Sequence, residues 1–173
     1  MPNILFAYST VDGQTQKIAE RLSREVTGKV SVKRFEEVTS IKDFDKVIVG
    51  SSIRYGKFPK KLYRFVEENQ ELLEERHADF YGVNLIARTP EKCQVENNVY
   101  VRKFLEKTTW KPKDVCIFAG ALKYTTYRLF DKKMIQLIMK ITKGPTDSRV
   151  DLEFTDWQQV TQFAERINQE INR

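Results

Sequence analysis

The sequence is short of the residues that commit a chain early to particular chemistries. It has one histidine, His77, and two cysteines, Cys93 and Cys116, in 173 residues. Two cysteines make neither a disulfide framework nor a metal motif, so no metal site is expected. Cys116 sits in an apolar run and reads as a small buried hydrophobe. His77 follows a helical pattern without a visible partner and reads as a surface residue, not a catalyst. No apolar run reaches the roughly 20 residues that span a bilayer. The uncharged opening from Met1 to Val11 is too short for that, and no basic segment precedes it as in a signal peptide. These absences point to the cytoplasm. There is no internal repeat, low-complexity segment or linker, so residues 1–173 are expected to form one domain. A hydrophobic content of 40% against 31% charged excludes general disorder.

What the chain has in excess is positive charge, and it is local. The net charge is +6. Between Ala121 and Lys143 stand six cations (Lys123, Arg128, Lys132, Lys133, Lys140 and Lys143) against the single acid Asp131. The other 150 residues carry 24 cations and 23 acids. A basic segment admits nucleic acid, an anionic membrane or an acidic small molecule as partner. Within it Tyr127, Phe130, Met134, Leu137, Ile138 and Ile141 recur at helical spacing, so the stretch 123–149 reads as a basic amphipathic insert. Its apolar face either meets a membrane or partner, or packs on the protein's own sheet.

The stretch Ser9-Thr10-Val11-Asp12-Gly13-Gln14-Thr15 lies between an apolar strand, Ile4 to Tyr8, and a helical pattern carrying Ile18, Ala19, Leu22 and Val26. A strand-to-helix loop rich in hydroxyls collects free N–H groups where an anion is stabilised. Gly13 can take positive φ and let the backbone approach a phosphate. The loop lacks the lysine of a nucleoside-triphosphate P-loop and is not G-x-G-x-x-G, so a monophosphate fits it better. The alternative is an ordinary junction with Asp12 as helix N-cap.

Further strands are expected near Val30–Phe35, Lys46–Ser51, Asp79–Ala87, Val115–Leu122 and Val150–Phe154, with helices near 59–76, 97–107 and from a capping box at Thr155–Gln158. The alternation argues for an open α/β sheet with helices on both faces. Ligands of such sheets sit beyond the carboxyl ends of the strands. Three loops meet there: Ser9–Thr15, Ser51–Gly56 and Asn84–Arg88.

Those loops in that order resemble flavodoxin-like proteins, which implies a doubly wound parallel sheet of order 2-1-3-4-5 with an insert in the last strand. Asp12 stands where the usual flavodoxin loop has a hydroxyl residue, and flavodoxins are generally acidic. A closer resemblance covers nearly the whole chain, insert included. Ser9–Thr15, Gly50-Ser51-Ser52-Ile53-Arg54-Tyr55-Gly56, Val83–Lys92, Ala119–Tyr124 and Thr155-Asp156-Trp157 together resemble the bacterial quinone-dependent protoporphyrinogen IX dehydrogenases, the flavodoxin-like enzymes of haem biosynthesis.

That resemblance implies FMN as cofactor, with Ser9, Thr10, Val11, Asp12, Gly13, Gln14 and Thr15 at its phosphate. Ser51, Ser52, Ile53, Arg54, Tyr55 and Gly56, together with Asn84, Leu85 and Arg88, would flank its ring. Tyr55 would stack on the ring or stand as a surface turn residue. Arg54 and Arg88 would meet a substrate propionate or the flavin, or remain solvated. In the insert, Lys123, Tyr127, Arg128, Lys132, Lys133, Leu137, Ile138 and Lys140 would contact substrate or membrane. The implied reaction is six-electron oxidation of protoporphyrinogen IX, with menaquinone or ubiquinone as acceptor, by a cytoplasmic enzyme peripherally held at the inner membrane. No catalytic acid or base is identified. One rival is a long-chain flavodoxin or flavin-dependent quinone reductase, which turnover with porphyrinogen against a nicotinamide donor would separate. Another is a colourless nucleic-acid-binding module with salt-sensitive affinity. Nothing in the sequence matches an RNA-binding aromatic motif or zinc-finger spacing, so no nucleic acid is expected.

Overall fold

The computed structural model describes residues 1–173. Five strands, β1 (Asn3–Ser9), β2 (Lys29–Arg34), β3 (Lys46–Ser52), β4 (Asp79–Asn84) and β5 (Val115–Ala119), form a parallel sheet of order β2-β1-β3-β4-β5. β1, β3 and β4 are almost wholly buried, as continuous apolar strands of a two-sided sheet must be. β2 is an edge and only half-buried.

Successive side chains point to opposite faces and so divide the core in two. Leu5, Ala7, Val47, Val49 and Phe80 pack under α2 (Lys60–Glu75) and α3 (Val99–Lys107). Ile4, Phe6, Tyr8, Ile48 and Tyr81 pack under α1 (Gln14–Glu25) and α5 (Trp157–Ile171). The buried stripes of α1 (Ile18, Ala19, Leu22) and α5 (Val160, Phe163, Ala164, Ile167) are those expected from the 3.6-residue period.

Three boundaries differ from expectation. β4 stops at Asn84 instead of running to Ala87, and Leu85–Arg88 form a 3-10 turn. Asn84 causes this: its Oδ1 accepts from Ala87 N at 3.1 Å and turns the chain. The expected strand Val115–Leu122 breaks at Gly120. Gly120 N donates to Asn84 O in the main sheet, while Gly120 O accepts from Phe154 N. Beyond it β6 (Ala121–Leu122) pairs antiparallel with β7 (Leu152–Glu153) in a second, two-stranded sheet. The insert carrying α4 (Leu129–Ile141) leaves from that sheet and returns to it. Finally, α5 is capped by Asp156, whose Oδ1 accepts from Gln158 N and Gln159 N. Thr155, expected to open a capping box, instead donates to Ala119 O at 2.7 Å and accepts from Gln14 Nε2 at 2.9 Å.

Candidate functional site

The turns after β1, β3 and β4 meet at the carboxyl end of the sheet, and α4 lies across them. Between them is a cleft enclosing about 770 Å³, part of it open to solvent. From the first loop Thr10, Val11, Asp12, Gln14 and Thr15 line it, while Ser9 is buried below. Gly13 has φ +88°, in the left-handed region that favours glycine, and its N–H is held by Thr10 Oγ1 at 2.9 Å. Gly13, not Asp12, is the residue that precedes the helix as its cap.

Asp12 turns away from the helix end to other partners. Its carboxylate accepts from Arg54 Nη2 at 3.2 Å and from Tyr127 Oη at 3.0 Å. The Arg54 guanidinium lies 5.3 Å from the Tyr127 ring centroid and 5.7 Å from that of Tyr55. Burial, the larger cause, raises the Tyr127 phenol above its ordinary pKa, and Asp12 adds to this. The phenol therefore stays protonated and donates. One ion pair thus joins the first loop to the second, and one phenol joins both to the insert.

In the second loop Ser52, Ile53, Arg54, Tyr55 and Gly56 line the cleft; Ser51 is buried beneath them. Arg54 and Lys57 exchange both backbone hydrogen bonds, so Tyr55 (φ 51°) and Gly56 (φ 73°) form a tight left-handed turn. A non-glycine residue held at positive φ is a strained position of the kind found at ligand clamps. Tyr55 Oη donates to Asp131 of α4, which raises the Tyr55 pKa.

In the third loop Asn84 and Leu85 line the cleft. The Asn84 amide oxygen is committed to Ala87 N and to Asn98 Nδ2 at 3.2 Å. Arg88 does not face the cleft. Its guanidinium donates to Leu85 O, Thr142 O and Thr142 Oγ1, which ties the loop to the end of α4. Burial lowers its pKa. A partly desolvated guanidinium is held where carbonyls can accept from it, and this draws Arg88 inward.

Of the insert residues, Tyr127 and Ile138 line the cleft, and Lys123 stands beside the first loop. Arg128, Lys132, Lys133, Leu137 and Lys140 are not among its walls. The buried side of α4 is Ile135 and Met139, which pack with Leu122 and Tyr124. This corrects the expected apolar stripe. Phe130, Leu137 and Ile141, with Leu129, point outward and are 53–73% exposed. The cleft also takes in Tyr100, Gly120, Ile135 and Met139, which the sequence reading missed. The i, i+3, i+4 set Ile135, Ile138, Met139 was visible in the sequence as a second stripe. A glycine inside the run Val115–Leu122 also marked a break. Nothing local marked Tyr100, whose ring lies against Gly56.

Four buried polar atoms at this cleft have no protein partner: Gln14 Oε1, Thr15 Oγ1, Ser52 Oγ and Arg54 Nη1. Buried polar groups are satisfied in the great majority of cases, so such a group at one cleft points to a polar ligand. Thr15 Oγ1 stands at the N-terminus of α1 as a donor beside the acceptor Gln14 Oε1, while Ser52 Oγ and Arg54 Nη1 are donors of the second loop between apolar walls. That set fits a molecule with a phosphate at one end and an apolar, hydrogen-bonding ring at the other, as FMN has. No group of metal-ligating side chains is present.

Sheet order and cleft define a flavodoxin-type α/β protein. The family model for the flavodoxin domain matches residues 5–149. A flavodoxin from the domain Archaea superposes with a TM-score of 0.55 at 16% identity, over 99% of both chains. Two relatives are nearer in sequence. The Escherichia coli (strain K12) protoporphyrinogen IX dehydrogenase [quinone] is 41% identical over 169 residues, covering 94% of this chain and 93% of that one. The Leishmania major protein of the same name is 40% identical over 171 residues, covering 94% of this chain and 73% of that one. The chain belongs to the flavodoxin-domain oxidoreductases, and among them to the quinone-dependent protoporphyrinogen IX dehydrogenase family.

Proposed function

We propose that the chain holds FMN in the cleft and oxidises protoporphyrinogen IX to protoporphyrin IX, passing the electrons to a membrane quinone. The observation that carries this is the cleft itself. The orphaned hydroxyl of Thr15 stands at a helix N-terminus, the orphaned Ser52 Oγ and Arg54 Nη1 lie in the second loop, and the apolar wall of α4 closes the other side. The family relatives supply the substrate class in their names.

When bound, FMN supplies two-electron hydrogen acceptance at its ring. The protein's share is to hold, orient and cover. Gly13 and Thr15 form the phosphate seat at the N-terminus of α1. Asn84 and the Tyr55–Gly56 turn set the edges of the ring site. Asp12 neutralises one face of Arg54 and leaves Nη1 free for an acceptor, such as a carboxylate of the substrate. Met139, Ile138 and Ile135 give an apolar cover suited to a macrocycle and to a quinone. Full aromatisation removes six electrons and six protons, so three quinones become three quinols. Residues 1–173 act as one unit, with 123–149 as its cover. No helix is long and apolar enough to cross a membrane. Access to quinone is therefore interfacial, through the outward apolar and basic side of α4.

The test is an anaerobic assay of flavin-loaded protein with protoporphyrinogen IX and menaquinone or ubiquinone analogues, read by protoporphyrin fluorescence. Quinone-dependent fluorescence above the uncatalysed rate is expected. A rate equal to the uncatalysed one with both quinones refutes the reading.

A further inference from the structure

The first loop contains no cation of its own, yet one is held against it from elsewhere in the fold. A Cβ at Gly13 would lie 3.8 Å from Lys123 Nζ, so the ammonium hangs over the turn that opens α1. Lys123 follows β6 and reaches this place because the chain leaves the main sheet at Gly120. Its backbone is fixed: Lys123 N donates to Tyr127 Oη at 3.1 Å, and Lys123 O accepts from Thr126 N and Thr126 Oγ1. The ammonium takes part in no ion pair. Asp151, an acid close enough to feel its charge, is committed to Thr125 through both carboxylate oxygens. On the same loop Thr15, fully buried, presents Oγ1 with no partner. An unspent cation and an unspent donor therefore flank one turn.

We propose that Lys123 is a phosphate ligand, which makes the site selective for the phosphorylated flavin over riboflavin. This rests on the flavin reading above. A helix N-terminus presents only about half an elementary charge. A phosphate monoester carries about −1.5 to −2 near neutral pH. The Asp12 carboxylate, next to Gly13 in the chain, adds negative charge even when paired with Arg54. A full positive charge beside the turn offsets most of this excess. Lysine suits the task, since it meets phosphate as a compact point charge. A P-loop carries this lysine within its own loop; here it arrives from the second sheet.

The experiment titrates apoprotein with FMN and, separately, with riboflavin, followed by flavin fluorescence, for the parent, Lys123→Met and Lys123→Arg. Lys123→Met is expected to weaken FMN binding by about tenfold or more, the factor for one charged hydrogen bond. Riboflavin affinity stays within about twofold, because that ligand has no phosphate to lose. Lys123→Arg, which keeps the charge, recovers most of the FMN affinity. Higher salt weakens FMN binding to the parent more than to Lys123→Met. Two results overturn the proposal: unchanged FMN affinity in Lys123→Met, or loss of FMN and riboflavin by the same factor, the mark of a packing role. A parent that binds neither flavin fails differently, because it removes the flavin reading itself.

Discussion

Gly50 and Tyr81 share one volume. A Cβ at Gly50 would lie 2.0 Å from Tyr81 Cζ, and Tyr81 is fully buried, with its hydroxyl donating to Thr15 O. The ring cannot swing aside, so Gly50→Ala should destabilise the fold by about 1–3 kcal/mol or more. Urea unfolding measures this, and Gly50→Ala with Tyr81→Leu should recover part of the loss. An alanine variant as stable as the parent would show that the strand accommodates the methyl. Gly13 tests a different property. At φ +88° a branched side chain is strained whatever space it finds. Gly13→Val should release FMN at concentrations where the parent stays loaded, read by flavin fluorescence. Undiminished retention would move the phosphate seat off this turn. The strand-to-helix turn around Gly13 was legible from spacing, with an anion site and an ordinary junction both open to it until the family resemblance was added. Arg88 was not, because beyond the local Leu85 O its partners are Thr142 O and Thr142 Oγ1, which only the fold brings to it.

At the scale of the element, α4 has two apolar sides. Ile135 and Met139 are buried on the protein; Leu129, Phe130, Leu137 and Ile141 face outward beside exposed Arg128, Lys133 and Lys140. Packing therefore accounts for one side of the helix and leaves the other exposed. Each cation near an anionic surface is worth about 1 kcal/mol. The exposed side chains can enter the headgroup region. The parent should float with anionic liposomes at low salt. Arg128→Gln with Lys133→Gln and Lys140→Gln should weaken flotation, as should Phe130→Ser with Leu137→Ser, both at normal FMN content. Those apolar positions are chosen because they avoid the cleft wall formed by Ile138. A parent that stays in the pellet at low salt would remove the membrane claim. Amphipathicity was legible in the sequence here. The inward side was not, because two overlapping stripes compete and only the presence of Leu122 and Tyr124 beneath one of them decides.

Far from the cleft, the opposite end of the molecule is pinned by charge. Lys46 Nζ meets Asp79 Oδ2 at 2.9 Å, Glu170 Oε2 at 2.7 Å and His77 O at 2.6 Å, which joins β3, β4 and the end of α5. Burial, opposed in part by Lys46, pushes the Asp79 carboxyl up to about 7. A carboxyl raised on folding binds more protons in the native state, so its stabilising contribution is full below about pH 4 and is lost as pH rises through about 7. Unfolding in urea at pH 5 and pH 8 checks the sign. The parent's stability relative to Asp79→Asn should fall as pH rises, since other carboxylates cancel in the comparison. A difference that grows with pH would mean Lys46 dominates and holds Asp79 ionised. Lys46→Met should cost more stability at pH 8 than at pH 5, because only the ionised Asp79 carboxylate loses its buried cation. No sequence signal marked this triad, whose members are neighbours only once three elements have packed.

Local pattern in the sequence was enough for an open α/β sheet, its two-sided core and the three loops at one end of it, while the strand order came from the resemblance to flavodoxin-like proteins. The sheet, core and loops follow from short-range periodicity, turn residues and right-handed crossover connections. Where the last strand divides, which side of α4 turns inward, that Asp12 pairs with Arg54 and not with its own helix, and that Lys123 stands over Gly13 emerged from packing between distant segments. Those outcomes depend on charges, phenols and carbonyls from distant segments competing for the same partners. That competition is settled by geometry, which no local pattern of residues contains.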